Sequence, residues 1–178
     1  MTSTTPNCPA DARVTITVTD TLRRLRDSLA DVEFGLAMVP ERWHHERSPE
    51  VAPDAWTVAM NLAHLTFYDE NVAVRLLRSC EPGFDPANER QGGDERWFLA
   101  ETVALADAPV AEILTRLRDA RAQQIALVAS LGDARLNAGV TPLWDEPTHT
   151  AGWVATMTFQ HTWEHGNAIL RAALFAPR

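Results

Sequence analysis

Two histidines four residues apart carry the clearest chemical signal in this sequence. They are His161 and His165, within the segment HTWEH. Residues four apart on a helix stand one above the other on the same face, so both imidazoles can point a ring nitrogen at one metal ion. The apolar residues on that face place the pair on a buried stripe. Burying two imidazoles without partners costs about 1–3 kcal/mol each, and a metal ion would satisfy both nitrogens.

A pair of core histidines bonded to neighbouring side chains is the alternative, and the spacing alone does not decide between the two. The segment also matches H-x-x-E-H, the inverted zinc-protease motif. Such enzymes take a third ligand from an acidic residue well downstream, whereas this sequence has no Asp or Glu after Glu164. A third ligand would therefore come from upstream.

His64 is the upstream candidate. It lies in an apolar stretch that predicts the second helix, on a face shared with Asn61, Phe67, Tyr68 and Asn71. A lone histidine on such a face is more often a satisfied core residue. Together with the pair on the last helix, it supplies three nitrogen ligands and leaves the fourth position of a tetrahedral zinc ion open, as in catalytic zinc sites.

Three other residues are candidates for binding substrate or moving a proton. Asn61 and Tyr68 are candidate substrate-binding residues, and packing in the core is the alternative for the tyrosine. Glu164 is a candidate proton acceptor, but it lies about 80° around the helix from the midline of the histidine pair, so a solvated or salt-bridged glutamate is the alternative. The remaining histidines fall in predicted loops and are expected at the surface or at the rim of the site: His44, His45 and His149.

Four amphipathic segments are predicted to position these residues. Their apolar residues recur three and four apart, as in helices that face one side of a bundle. The fold class is therefore all-α, a four-helix bundle with a long connection between helices two and three. The predicted helices cover about residues 21–39, 58–79, 109–131 and 151–174. Their predicted N-caps are Asp20, Thr57, Asp107 and Thr150, and Gly132 is a predicted helix stop.

The long connection is expected to contain a short helix near residues 95–105. Trp97 and Phe98 in that helix either close a pocket or anchor it. Residues 1–19 are predicted to form a flexible N-terminal arm with a short extended stretch at its end, and residues 20–178 the bundle.

Composition narrows the classes of function. The net charge of −8 and the pI of about 5.2 leave no basic face, so we expect no nucleic-acid partner. No apolar run reaches the ~20 residues of a membrane span, and the N-terminus lacks the features of a secretory signal. We therefore expect a cytoplasmic protein with no membrane partner. All 16 basic residues are Arg, which excludes lysine-dependent chemistry. The two cysteines, Cys8 and Cys80, form no ligand pair.

Two segments resemble a known family. Residues 56–65, WTVAMNLAHL, resemble the helix-two signature of the DinB/YfiT-like superfamily, in which an aromatic–Ser/Thr pair opens the helix and a histidine follows. The segment from His161 to His165 resembles the paired histidines on that family's last helix. The order of these histidines is the same, and the resemblance spans about residues 20–175.

This resemblance implies a four-helix bundle with a metal site formed by His64, His161 and His165, dimeric in many members. The metal would be zinc, with nickel or iron as alternatives. Members with known activity include thiol S-transferases that use mycothiol or bacillithiol, and a mycothiol-dependent maleylpyruvate isomerase in which Glu replaces one helix-four histidine. Because this sequence keeps both histidines and lacks the isomerase's extra C-terminal domain, it resembles the transferase branch.

We therefore expect a zinc-dependent thiol S-transferase, in which a low-molecular-weight thiol such as mycothiol attacks an electrophilic small molecule. The protein itself need not supply a nucleophile. A hydrolase that uses a metal-bound water, with Glu164 as its base, is one alternative. A non-enzymatic bundle that binds metal or another ligand is the other.

Overall fold

A computed structural model describes residues 15–46, 56–85, 95–138 and 150–175, and most of these residues are helical. The α-helices in these ranges are α1 (Val18–Met38), α2 (Val58–Tyr68), α3 (Val74–Arg78), α4 (Glu95–Ala106), α5 (Val110–Leu136) and α6 (Ala151–Phe175). A five-residue π-helical turn, Asp69–Ala73, joins α2 to α3, so residues 58–78 form one continuous helix. The predicted all-α class is confirmed, with α1, α2–α3, α5 and α6 as the four long members.

The core is built where the four long helices face one another. Helix α1 packs chiefly on α6 and also on α5, while α2 packs on α5, α6 and α4. The short predicted helix in the long connection is thus α4, and it covers α2. Burial of the apolar stripes is the main source of stability in such a bundle. No helix in the described ranges is both long and apolar enough to cross a membrane.

Two of the predicted N-caps are confirmed and two are wrong. The hydroxyls of Thr57 and Thr150 each accept a hydrogen bond from a backbone N–H in the first turn, at 3.1 and 3.0 Å. Helix α1 begins at Val18 rather than residue 21, because the Thr17 hydroxyl, not Asp20, caps it. Helix α5 begins directly after Pro109, so Asp107 is not its cap.

Gly132 interrupts the helical backbone at the predicted stop. It has φ 69° and ψ 164°, a non-helical conformation that favours glycine. Beyond this kink a short second helical stretch continues to Leu136, so α5 extends further than predicted.

The π-helical turn shifts the buried face of the second long helix. In a regular α-helix Val72 and Leu76 would continue the inward stripe of Leu62 and Leu65, but Ala73 and Leu77 are the fully buried residues. A π-helical turn contains one residue more than an α-helical turn over the same rise, so each later residue takes the place predicted for its predecessor.

Residues 15–17 are extended and are held against the bundle. The backbone N–H and C=O of Ile16 bond to the Asn137 amide at 3.1 and 2.8 Å. The Val18 N–H donates to Asp133 at 2.7 Å. The end of the predicted arm is thus part of the bundle. Residues 1–14 lie outside the described ranges, so the division into arm and bundle stays a prediction.

Candidate metal centre

Three histidines from two distant parts of the chain meet between α2 and α6. The ring centroids of His64, His161 and His165 lie 4.6–4.8 Å from one another. Each ring offers one nitrogen, and these three nitrogens all lie within 4.8 Å of one another. The two histidines of α6 share one face of the helix, as their spacing predicted. The packing of α6 on α2 brings both of their rings to the imidazole of His64.

Aromatic side chains enclose this triangle of rings. Trp56, just before α2, stacks on His165 with centroids 5.7 Å apart and meets His64 edge-on at 4.9 Å. Phe98 from α4 meets His64 edge-on at 5.0 Å. Phe98 therefore lies beside the site, where it can close a pocket. Trp97 packs on Phe67 with ring centroids 5.0 Å apart, as expected of a residue that anchors α4.

Tyr68 lies on the opposite side of the triangle, with its ring 4.3 Å from the ring of His161. Burial, with a smaller contribution from Asp69, raises the pKa of the Tyr68 phenol to about 12. The phenol is therefore neutral at pH 7 and keeps its proton. It can donate a hydrogen bond. Its expected contact with a substrate stays a prediction.

Asn61 fixes the orientation of one imidazole. Its side-chain oxygen lies 2.8 Å from Nδ1 of His165, and its amide nitrogen donates to the carbonyls of Trp56 and Thr57 at 3.3 and 2.9 Å. An amide oxygen only accepts, so Nδ1 of His165 carries the proton and the lone pair of Nε2 is free. This is how a partner behind a metal-binding histidine sets its tautomer. The sequence predicted Asn61 as a substrate-binding residue and missed this contact across the helices.

The imidazoles are held in the neutral form that binds metal. Burial lowers the pKa of His64 to about 4 and that of His161 to about 3, and the neighbouring histidines add to both shifts. Burial also lowers the pKa of His165. Nδ1 of His64 and Nδ1 of His161 are buried with no hydrogen-bond partner among the described residues. Three neutral imidazoles, each offering a nitrogen within 4.8 Å of the other two, fit a divalent cation.

Glu164 lies beside the triangle without entering it. Its side chain is exposed and accepts a hydrogen bond from the Gln160 amide at 3.2 Å. These surroundings match the predicted alternative of a solvated glutamate. The charge of Glu164 also raises the pKa of His165 and so opposes the effect of burial. Its role as a proton acceptor stays a prediction.

A cavity of about 490 Å³ adjoins His165 between α2 and α6. The residues that line it include two tryptophans and three charged residues: Trp56, Trp163, Arg171, Glu46 and Glu164. A space of this size, mainly apolar with a few polar groups, suits a small organic ligand.

The other histidines within the described ranges stand apart from the triangle. Nε2 of His44 lies 3.2 Å from the carbonyl of Val39, and His45 is exposed. Both follow α1 and line a different cavity. His149 lies outside the described residues.

A buried ion pair beneath the site went unpredicted. Arg121 from α5 and Asp69 from the π-helical turn are fully buried, with Nε and an Nη of the guanidinium 2.9 and 2.8 Å from the carboxylate. Burial raises the pKa of Asp69, and the guanidinium opposes that shift. The sequence contains one sign of this buried charge. In the apolar stripe of α5, the polar residues Arg121 and Gln124 occupy the inward positions between Leu117 and Val128.

Sequence comparison identifies the family. The family model of the DinB superfamily matches residues 17–169. The chain belongs to the DinB superfamily. The resemblance found from the histidine segments is thereby confirmed. No protein with a curated description matches the chain in sequence.

Solved structures agree with this DinB fold. A protein from Streptococcus pneumoniae superposes with a TM-score of 0.73 at 13% identity, over 93% of this chain and 94% of that one. The mycothiol-dependent maleylpyruvate isomerase gives 0.67 at 14% identity, over 85% of this chain and 60% of the isomerase. The colibactin self-resistance protein ClbS, solved with double-stranded DNA, gives 0.66 at 12%, over 90% and 97%. These identities establish a shared fold, and the expected lack of a nucleic-acid partner stays a prediction.

Proposed function

We propose that this DinB-superfamily chain is a metal-dependent thiol S-transferase, with zinc held by His64, His161 and His165. The observation that carries the proposal is the convergence of three neutral imidazoles within 4.8 Å of one another. Three protein ligands leave one coordination position for a substrate, as in catalytic zinc sites. The mycothiol-dependent isomerase of similar fold supports a low-molecular-weight thiol as the cosubstrate.

The chemistry needs an activated sulfur and an electrophilic carbon. Bound zinc would supply a positive charge that lowers the pKa of a thiol and so raises the share of its nucleophilic thiolate at neutral pH. A sulfur–carbon bond then forms while the bond from carbon to the leaving group breaks. The leaving group takes the electron pair, and the thiol proton passes to solvent. No side-chain nucleophile is required, and the half-buried Cys80 is not among the residues that surround the histidines.

The residues around the histidines have separate tasks in this proposal. Asn61 holds His165 with Nε2 available as a ligand atom. Trp56 and Phe98 keep water from the sides of the rings, which strengthens electrostatic interactions at the site. Tyr68 keeps its proton at neutral pH and can donate to an oxygen of the electrophile.

The neighbouring cavity is the proposed binding place for the organic part of the electrophile. Two tryptophans supply apolar area, and Arg171 supplies a positive charge for an anionic group. Trp56 contacts both the cavity and the histidine rings, so a molecule held there lies next to the metal centre.

Metal content and thiol transfer test the proposal together. We expect about one zinc per chain by elemental analysis, loss of that zinc in His161→Ala, and full retention in the matched control His44→Ala. With mycothiol and a fluorogenic alkyl halide, the zinc-loaded chain should form the thioether. Chelation should abolish the reaction, and added zinc should restore it.

The outcomes separate the competing functions. Equal metal content in the wild type and His161→Ala refutes the metal centre. Turnover that needs no thiol favours a hydrolase, and bound zinc without turnover for any thiol favours a binding protein.

A further inference from the structure

One guanidinium ties together the two helices that carry the histidines. Arg121 extends from α5 into the centre of the bundle and is completely buried. Its Nε donates to Asp69 at 2.9 Å, and an Nη donates to the hydroxyl of Thr162 on α6 at 2.8 Å. The other Nη donates to the carbonyl of Leu25 and the hydroxyl of Ser28, both on α1, at 2.9 and 2.8 Å.

The acceptors on α2–α3 and α6 stand close to the histidines in sequence. Asp69 is five residues beyond His64, and Thr162 is the residue directly after His161. Residues five apart on a helix point about 140° apart, so the segment can direct His64 towards the site and Asp69 towards α5. The same holds for His161 and Thr162, which point about 100° apart.

A second link joins the same two helices. The bond from Nδ1 of His165 to Asn61 connects α6 to α2 at 2.8 Å. The helices that carry the histidines thus share two polar connections, one through Asn61 and one through Arg121. Two such connections fix the rotation of one helix about its axis relative to the other, which apolar packing alone specifies less sharply.

We infer that Arg121 is a positioning residue for the metal centre, acting through Asp69 and Thr162 to set how the histidines of α2 and α6 face each other. The inference rests on the proposed metal centre. The π-helical turn belongs to this arrangement, because Asp69 is its first residue. Such turns are frequent at functional sites.

Thr162 offers the cleanest test, because its replacement leaves the ion pair intact. Thr162→Val removes the acceptor for Arg121 on α6 and keeps the side-chain volume. Thr162→Ser keeps the hydroxyl and should behave as the wild type. The matched control is Thr158→Val: Thr158 is equally buried one turn earlier on α6, and its hydroxyl donates to the carbonyl of Val154, not to Arg121.

The readout is zinc affinity, measured by competition with a chromophoric chelator, together with the visible spectrum of the cobalt-loaded protein and the urea midpoint of the metal-free protein. We expect Thr162→Val to weaken zinc binding by about tenfold, at the lower end of the effect of outer partners on metal sites. Its cobalt bands should shift. Thr158→Val should lower the urea midpoint by a similar amount while keeping zinc affinity within about twofold.

Arg121→Lys provides a second variant. An ammonium group can face Asp69 but lacks the fork that reaches Thr162 at the same time, so it should weaken zinc binding as Thr162→Val does. Zinc affinity within twofold of wild type in Thr162→Val, or an equal loss in Thr158→Val, overturns the inference and leaves the metal centre standing. A wild-type chain that binds no zinc overturns both.

Discussion

Replacing Arg121 by Met tests how much the buried ion pair contributes to stability. The variant removes four hydrogen bonds from the guanidinium and leaves Asp69, which is fully buried, without its positive partner. Breaking a buried pair by removing one member costs about 3–5 kcal/mol. A domain of this kind has a total unfolding free energy of about 5–15 kcal/mol, so the loss is a large fraction of the whole.

The loss should also depend on pH. Burial raises the pKa of Asp69 above the ordinary value of a carboxyl group, and in Arg121→Met no guanidinium opposes that shift. Between the unfolded and the folded pKa of Asp69, the folded variant therefore holds a proton on this carboxyl that the unfolded chain has released. The stability linked to this proton is fully present below the unfolded pKa, and it is lost as the pH rises through the higher folded pKa. The variant should be more strongly destabilised at pH 8 than at pH 5.

Urea unfolding of the metal-free protein measures both effects. With a slope of about 2 kcal/mol per M, the midpoint at pH 8 should fall by about 2 M relative to the wild type, and by less at pH 5. Adding Asp69→Asn to Arg121→Met should recover part of the loss at pH 8, because a neutral amide costs less to bury. A loss below about 1 kcal/mol, far under the cost of an unpaired buried charge, or the same loss at both pH values, refutes this account of the pair.

Three further predictions concern single side chains. Asn61→Leu should weaken zinc binding about 10- to 100-fold, whereas Asn71→Leu, which loses a bond only to the carbonyl of Phe67, should not; equal affinities would contradict the role given to Asn61. Tyr68 is the sole tyrosine of the sequence, so the rise in absorbance near 295 nm should titrate near pH 12 in the folded protein and near 10 in urea; a folded midpoint near 10 would contradict its burial. Burial raises the pKa of the Cys80 thiol to about 11, which lowers its thiolate share at pH 7.5 about 300-fold below that of free cysteine. Because a more basic thiolate is intrinsically more nucleophilic, Cys80 in Cys8→Ser should react with a disulfide reagent roughly 20-fold more slowly than free cysteine; a comparable rate would contradict that burial.

The helices and the histidine site were accessible from the sequence for simple physical reasons. Apolar residues three and four apart mark the face that each helix buries, and histidines four apart on such a face can share one ion. His64 needed a further step, because its approach to α6 depends on how the helices pack. The need for an upstream ligand made His64 the candidate, and the family resemblance supported that choice.

Other features depend on contacts that no local pattern encodes. The π-helical turn at Asp69–Ala73 changes the buried face by one residue, and periodicity alone assumes a regular helix. Asn61 was predicted to bind substrate because it shares the face of His64, which stays a prediction; its bond to His165 depends on how α2 packs on α6. Arg121 interrupts an apolar stripe, which signals a buried charge, yet its partners lie on three other helices.

An anomalous difference map at the zinc edge, from crystals grown with zinc, is the most direct test of the metal centre. We expect one strong peak between α2 and α6, within bonding distance of a ring nitrogen from each of His64, His161 and His165. A map with no peak there, or a peak bound by the α6 pair while the His64 ring points elsewhere, would contradict this expectation.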